Sequence, residues 1–142
     1  MVGRGQQRLA TLFAGLSSGR LAKTAAIKTY TTRDGLYSNS VFRLFEDSRG
    51  DIWISNIGNI TNTLLRWERA TDRFQGFADG DGVPATNAPT AFGEDRAGNI
   101  WIGFYSGGLL RYRNGKFDIF SAADKLPNGY IYNIFTDSTG RV

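Results

Sequence analysis

The chain has 142 residues, a formal net charge of +4, no cysteine and no histidine. Without cysteine there is no disulfide framework and no thiol chemistry. Without histidine, the commonest general base, the Ser-His-Asp arrangement and most zinc sites are excluded. The 18 Gly, 10 Phe, 6 Tyr and 3 Trp favour short strands joined by tight turns. No stretch of about 18 apolar residues occurs, so no transmembrane helix is predicted.

The positive charge is concentrated at the start of the chain. Five of the 17 basic residues lie in residues 1–28, which hold no acidic residue, so 12 basic and 13 acidic residues are left for the rest. That part lacks the clustered basic face that nucleic-acid binding needs, and no nucleic-acid partner is predicted. Residues 1–29 have three interpretations: a leader with a weak secretory signal at its apolar stretch 9–16, the remnant of a preceding repeat unit, or a flexible terminus.

From residue 30 onward the chain repeats itself. EDSRGDIWIS at 46–55 returns as EDRAGNIWIG at 94–103, and TDSTGRV at 136–142 starts the phrase a third time. Its aspartates, Asp47, Asp95 and Asp137, are 48 and 42 residues apart, a spacing typical of propeller blades of four strands each. We therefore predict units at about 30–76 and 77–119 and an incomplete unit at 120–142.

Each complete unit is predicted to contain four strands, which in the first unit span about 41–47, 51–55, 64–68 and 73–77. The turn after Asp47 suits a hairpin, because the carboxylate can bond the backbone beyond it and Gly50 can take a left-handed conformation. Ile52 and Ile54 would face one side of the sheet and Trp53 the other, so both faces must be covered. The predicted fold is all-β: a partial β-propeller of about two complete four-stranded antiparallel blades plus incomplete flanking ones.

Two complete units cannot encircle an axis, since a propeller needs roughly four to eight blades. The sequence therefore predicts a fragment whose outer blade faces and strand edges stay open. We expect poor solubility or oligomers from the isolated chain, because open apolar faces and unpaired edges both promote association.

Further matches extend the repeat beyond the glycine turn. The second unit carries Gly82, Val83, Pro84, Phe92, Glu94, Asp95, Gly98, Ile100, Trp101, Ile102, Gly103, Gly108, Leu109, Arg111 and Tyr112. This set resembles the two-component regulator propeller repeat. In that family the propeller is usually the extracytoplasmic sensing part of a longer protein with a membrane span and a signalling domain, often a histidine kinase. The resemblance also implies that the strand before each glycine turn lies innermost in its blade.

The resemblance implies a ligand-sensing propeller segment of a bacterial two-component-type signalling receptor, periplasmic or extracytoplasmic, that binds a small polar ligand such as a saccharide. Its partners would be the remaining blades and the signalling domains of a longer parent protein. Two alternatives stay open: a protein-interaction propeller scaffold, and a fragment of a propeller lyase or glycosidase. The missing histidine disfavours the enzyme, and no enzymatic activity, cofactor or metal is predicted for this chain.

Candidate ligand-binding residues are aromatic and amide residues that the repeat does not require and that fall in connections, where rigid scaffolds usually carry binding residues. They are Tyr37, Asn39, Asn56, Asn87, Tyr105, Asn128 and Tyr130. Each is also an ordinary turn residue, and the sequence leaves that alternative open. The carboxylates at 46–47 and 94–95 are assigned to the turns. The DGDG stretch at 79–82 resembles a calcium loop but lacks its other ligands.

Overall fold

The computed structural model describes the backbone of residues 10–12 and the backbone and side chains of residues 28–57 and 63–142. In these ranges the chain forms the strands β1 (Ala10–Leu12), β2 (Lys28–Tyr30), β3 (Val41–Glu46), β4 (Ile52–Asn56), β5 (Thr63–Glu68), β6 (Arg73–Phe77), β7 (Pro89–Glu94), β8 (Ile100–Phe104), β9 (Leu109–Arg113) and β10 (Lys116–Phe120). Short 3-10 turns span Asp79–Asp81 and Ala122–Asp124. Most of the predicted leader, at 1–9 and 13–27, lies outside the described residues. Within those residues, no helix is long and apolar enough to span a membrane.

Two four-stranded antiparallel sheets form the body of the molecule. The first has the order β3-β4-β5-β6 and the second β7-β8-β9-β10, so each strand pairs with its neighbour in sequence. The prediction of an all-β fold with two four-stranded blades is confirmed. β3 and β7 occupy one edge of their sheets, and β6 and β10, which carry the repeated phenylalanines, occupy the other.

The same aspartate-centred turn closes the first hairpin of each unit. Asp47 accepts hydrogen bonds from the backbone N–H groups of Arg49 (3.0 Å) and Asp51 (3.1 Å) and from the Trp53 indole Nε1 (3.0 Å). Gly50 completes the turn with a φ of 85°, which a residue without a Cβ adopts without strain. The backbone bonds recur at Asp95, with Ala97 and Asn99, and at Asp137, with Thr139 and Arg141.

The two sheets pack face to face over an aromatic layer. Trp53 is fully buried there, stacked on Phe77 at 5.7 Å between ring centroids and edge-on to Tyr112 at 4.9 Å. Ile52 and Ile54 lie on the opposite face of β4, in a second buried cluster. Both faces of this strand are therefore covered, as its pattern predicts.

β1 and β2 form a two-stranded antiparallel sheet. Tyr30, at the end of β2, is buried and contacts Trp67 at 5.1 Å and Phe74 at 5.4 Å. Phe77 makes the equivalent contacts with Tyr112 and Phe117 one layer further on, as distances of 5.7 and 5.1 Å show. Tyr30 on β2 thus takes the place against the first sheet that Phe77 on β6 holds against the second.

Residues 121–142, which include the start of the third unit, follow the second sheet without forming a strand. The Ile131 N–H donates to the Phe104 carbonyl oxygen (3.2 Å), and the Thr136 hydroxyl donates to the Glu94 carbonyl oxygen (2.6 Å). No strand within the described residues pairs with this segment, so it is held there by side-chain packing and scattered hydrogen bonds and not by a ladder.

Two glycines of the second sheet make room for that segment. A Cβ on Gly93 would collide with the Ile134 side chain, and one on Gly103 would collide with Ile131. Neither glycine has a positive φ, so close packing and not backbone freedom explains them. The segment therefore covers the β7–β8 half of the second sheet, on the face turned away from the first sheet.

Candidate functional site

The seven predicted binding residues all lie at one end of the two sheets. Because the strands run antiparallel, the connections 31–40, 78–88 and 121–130 leave the sheets at the same end as the β4–β5 and β8–β9 loops. We name this the long-connection end, and the opposite end, with the glycine turns, the short-turn end. Each long connection is closed by a carboxylate that accepts a bond from a backbone N–H three residues earlier: Asp34 (2.7 Å), Asp81 (2.9 Å) and Asp124 (2.9 Å).

Tyr37, Asn39 and Asn56 form one group at this end, around the connection into β3. The buried Asn56 amide donates to the Ser38 carbonyl oxygen at 2.9 Å and ties the connection to β4. Asn39 accepts a bond from the Thr32 N–H at 3.2 Å and so braces the connection from within. Tyr37 lies exposed above β6, where its ring occupies the space that the absent side chain of Gly76 leaves.

Asn87, Tyr105, Asn128 and Tyr130 form the second group, between the second sheet and the segment that follows it. Tyr105 and Tyr130 lie 4.5 Å apart between ring centroids, and Tyr130 lies 5.7 Å from Tyr132. We name these three residues the tyrosine cluster; their exposed fractions are 50%, 55% and 63%. Tyr132 was not predicted, although it is an aromatic residue two positions after a predicted one. Asn128 is exposed two residues before Tyr130.

The backbone around Gly107 brings the tyrosine cluster together. Gly107 has a φ of 86°, and a Cβ there would lie 2.9 Å from the Gly129 carbonyl oxygen. Asn87 holds the same turn from the other side, since it accepts a bond from the Ser106 N–H (2.8 Å) and donates to the Gly107 carbonyl oxygen (3.1 Å). Close backbone contact therefore sets Tyr105 beside the connection that carries Tyr130.

The chemistry of the tyrosine cluster is that of an uncharged aromatic surface with hydroxyl groups at its rim. The neighbouring Tyr130 raises the pKa of Tyr105, because a second phenolate beside the first would be repelled and because the two hydroxyls bond. The Tyr105 phenol hence stays neutral at physiological pH. Exposed aromatic faces with polar tips can stack on an apolar ring face and hydrogen-bond hydroxyls at the same time.

A cleft of about 510 Å³ opens at the short-turn end. It lies between the turns of the second and third units, beside Glu94, whose carboxylate accepts bonds from the Ser48 N–H (2.7 Å) and hydroxyl (2.6 Å). This bond joins one unit to the next, and sequence reasoning, which assigned Glu94 to a turn, missed it. The only signal in the sequence for a shared role of this carboxylate is that Glu46 and Glu94 occupy the same place in the repeat.

The carboxylates near this cleft are committed to structure. Burial raises the pKa of Asp95, but bonds from Asn99 and Trp101 outweigh it and the pKa lies below its usual value. A bond from the Thr139 hydroxyl, aided by Arg141, lowers the pKa of Asp137 to about 2. At 79–82, Asp79 accepts a bond from the Ala85 N–H (2.9 Å) and Asp81 closes its connection. Among the described residues, no group of three or more His, Cys, Asp or Glu side chains could hold a metal ion.

Residues 38–58 match the family model described as two component regulator propeller. The match spans β3, the Asp47 turn and β4, and it confirms the resemblance that the repeat predicts. The tyrosine cluster lies outside it. No curated protein matches the chain.

Two solved structures are similar to the chain. The extracellular domain of a protein described as a hybrid two component system from B. thetaiotaomicron has a TM-score of 0.65 at 22% identity, over 82% of this chain and 16% of that one. The extracellular domain of a protein described as a one component system from the same organism has a TM-score of 0.47 at 14% identity, over 83% of this chain and 22% of that one. The first likeness supports the fold. The chain spans less than a quarter of the length of either structure.

Proposed function

We propose that the chain is a segment of an extracytoplasmic sensor propeller of a two-component-type signalling receptor. The match of residues 38–58 to the two component regulator propeller carries this proposal. The fold shared with the extracellular domain of a protein described as a hybrid two component system supports it. The remaining blades and the signalling domains would belong to a longer parent protein.

The tyrosine cluster is our proposed ligand contact, and a small polar ligand such as a saccharide fits it. The Tyr130 ring lies within 5.7 Å of each of the other two rings, and all three residues are at least half exposed, so they form one exposed aromatic patch of the kind that marks a binding surface. Asn128 lies close by in sequence and offers an amide to ligand hydroxyls. Among the other predicted residues, Asn39 and Asn87 hold connections in place, and Asn56 is buried; each could support the ligand contact only through the backbone it positions.

Isothermal titration calorimetry of the chain with a panel of glycans tests the ligand. We expect weak binding, with Kd near or above a millimolar, because loops from several blades normally line a propeller pocket. Tyr130→Ala should abolish the signal, whereas Tyr37→Ala, an equally exposed tyrosine at the same end but outside the cluster, should leave it unchanged. Equal losses from both variants would contradict the assigned site, and no heat with any glycan would contradict the ligand class.

A protein-interaction scaffold is the second candidate, and one observation favours it. Phe135 is 78% exposed, and Leu44 and Phe42 on the first sheet are nearly half exposed, so the molecule presents apolar surface at both ends of its stack of sheets. We propose no enzymatic activity. The carboxylates that a lyase or glycosidase would use are engaged in turns at Asp47, Asp95 and Asp137.

A further inference from the structure

A recess of about 130 Å³ opens between the first strands of consecutive units, beside the tyrosine cluster. Parts of β3 and β7 form two of its walls, and the start of the third unit forms another. Its polar lining residues are Arg43, Thr90, Tyr132 and Asn133. Because it lies between neighbouring units of the described chain, the recess belongs to the internal layers. Tyr132 lines it and also belongs to the tyrosine cluster, so the two form one continuous surface.

Hydrogen bonds fix the backbone that carries Tyr132 and Asn133. The hydroxyl of the buried Thr90 donates to the Ile131 carbonyl oxygen at 2.7 Å, and the Ile131 N–H donates to the Phe104 carbonyl oxygen at 3.2 Å. Asn133 accepts a bond through Oδ1 from the backbone N–H that follows it, at 3.0 Å. The NH₂ group is therefore the part of this exposed amide that can bind a ligand.

Arg43 supplies the positive charge of the recess, and no carboxylate side chain pairs with it. All 13 acidic residues lie within the described ranges, and no ion pair joins any of them to Arg43. By contrast, Arg66 and Arg111 pair with carboxylates of their own sheets at 2.6 and 2.8 Å. The repeat does not require arginine at this position, since Ala91 and Asn133 stand there in the next two units. An exposed guanidinium is therefore available at the recess.

The groups that line the recess suit an anion. A guanidinium, a phenol and an amide NH₂ group all donate hydrogen bonds, and no carboxylate is among the described lining residues. The planar guanidinium can bind a carboxylate or a sulfate group through two parallel bonds. The volume of about 130 Å³ is below the roughly 300 Å³ at which pockets enclose whole small molecules. The recess therefore fits one anionic substituent, and the rest of the ligand would lie on the adjoining rings.

We propose that the ligand of the tyrosine cluster is an acidic saccharide, whose ring lies on the cluster and whose carboxylate or sulfate group binds Arg43 in the recess. This inference rests on the saccharide contact proposed above and names the class of saccharide. The tyrosine rings contact the apolar face of the sugar, and Arg43 provides the preference for a negative charge. Because Arg43 is exposed, its ion pair with the ligand adds moderately to the affinity and is screened by salt.

Titration of the ¹⁵N-labelled full chain with matched pairs of sugars, followed by NMR, tests this preference. Methyl glucuronide is compared with its neutral amide, and glucose 6-sulfate is compared with glucose. At low salt we expect the acidic member of at least one pair to bind roughly twofold to fivefold more tightly than its neutral partner, with Kd near a millimolar. The pair that shows the preference identifies the anionic group. The preference should shrink as the salt concentration rises.

Three arginine variants assign the preference to the recess. Arg43→Ala should lower the affinity for the acidic sugar to that of its neutral partner and leave the affinity for the neutral partner unchanged. Arg43→Lys keeps the charge but loses the two-bond geometry, so it should retain part of the preference. Arg33→Ala removes an exposed arginine at the long-connection end that does not line the recess, and it should have no effect. Far-UV circular dichroism checks that every variant is folded.

Four outcomes would overturn the inference. Equal affinities for the acidic and neutral sugars in the unmodified chain would exclude an acidic ligand but leave the proposed saccharide contact intact. A preference that persists in Arg43→Ala would exclude the assigned recess. Acetate or inorganic sulfate that binds as tightly as the acidic sugar would show an anion site that needs no saccharide. Binding of no sugar at all would contradict the ligand class proposed for the tyrosine cluster together with this inference.

Discussion

Trp53 and Trp101 occupy the same position in consecutive sheets, and each donates its indole N–H to the turn aspartate of its own unit, at 3.0 and 2.9 Å. Each has an arginine above its ring, Arg66 at 5.9 Å and Arg111 at 5.4 Å. Trp53 is nevertheless fully buried, whereas Trp101 is partly exposed. The difference is Tyr112 and Phe117, which the second sheet lays over the Trp53 layer and which have no described counterpart over Trp101.

The two tryptophans thus distinguish the contacts that a unit forms within itself from the burial that its neighbour provides. The turn, the indole bond and the arginine contact recur at each complete unit, so the local sequence is sufficient for them. Burial depends on the next unit, as expected for repeat architectures in which stability is a sum of unit and interface contributions. The layer between the sheets should therefore dominate the stability of this chain.

The largest expected effect is that of Trp53→Ala. It removes a fully buried indole from the layer between the sheets, and we expect a loss of about 3–5 kcal/mol in the free energy of unfolding. Trp101→Ala should cost only about 1–2 kcal/mol, because part of that indole is already exposed to water. Urea unfolding followed by circular dichroism measures both values. Equal losses would show that the two layers are equally covered in solution.

Asp47→Ala should be next in size. The buried carboxylate accepts bonds from two backbone amides, the Arg49 guanidinium and the Trp53 indole, and its loss leaves the buried indole N–H without an acceptor. We expect a cost of about 2–3 kcal/mol in urea unfolding. Asp47→Asn keeps one acceptor oxygen and should lose less. If Asp47→Asn is as damaging as Asp47→Ala, the charge rather than the bonding pattern is what holds the turn.

Gly93→Ala tests the contact between β7 and the segment that follows β10. The new Cβ would collide with Ile134, so we expect a loss of about 1–3 kcal/mol from overpacking. Ile134→Ala removes the obstructing atoms, and the double variant should recover part of the loss. A coupling free energy of at least about 0.5 kcal/mol in a double-mutant cycle would support the contact. Strict additivity would mean that residues 131–137 do not lie on β7 in solution.

Acidification should destabilise the three aspartate-centred turns. The bonds described above hold the pKa values of Asp47, Asp95 and Asp137 below the ordinary value, that of Asp137 at about 2. A carboxyl with a lowered folded pKa stabilises the fold above its unfolded pKa of about 4, and this contribution is lost as the pH falls through the folded value. The urea midpoint should stay level from pH 7 to about 5 and fall below about 4. Asp95→Asn should make that fall shallower; an unchanged slope would contradict the assigned bonds.

The sequence was a good guide to the repeat and a poor guide to the contacts between repeats. Asp47, Gly50 and Trp53 predict their own turn and strand, because the bonds involved join residues within six positions of one another. The number of such phrases predicts the number of sheets. The hairpins that join successive strands predict the strand order within each sheet. By contrast, Gly93 reads in the sequence as an ordinary strand residue, and only its contact with Ile134 explains it.

The candidate site shows the same limit. The sequence identified Tyr105 and Tyr130 as aromatic residues that the repeat does not need, but their approach to 4.5 Å depends on the backbone contact between Gly107 and Gly129, 22 positions apart. Sequence reasoning missed Tyr132 because it occupies the repeat position of Phe42, on the first strand of a unit, where an aromatic residue is ordinary. Asn56 was chosen for its amide, and burial beside Ser38 and Ser40 could not be foreseen from composition.

The smallest expected effect concerns the tyrosine cluster, which forms where the segment after β10 meets the second sheet. Tyr130 is the main cause of the raised pKa of Tyr105, and Tyr132 is a minor one. Tyr130→Phe should therefore lower the pKa of Tyr105 toward the ordinary value of about 10, and Tyr132→Phe should lower it less. Titration of the tyrosine ring carbons by NMR, with Tyr105 assigned by its phenylalanine variant, measures both shifts. If neither variant moves the Tyr105 titration, residues 130–132 do not lie against the second sheet. The segment then covers less of that sheet than the contacts at Ile131 and Ile134 indicate.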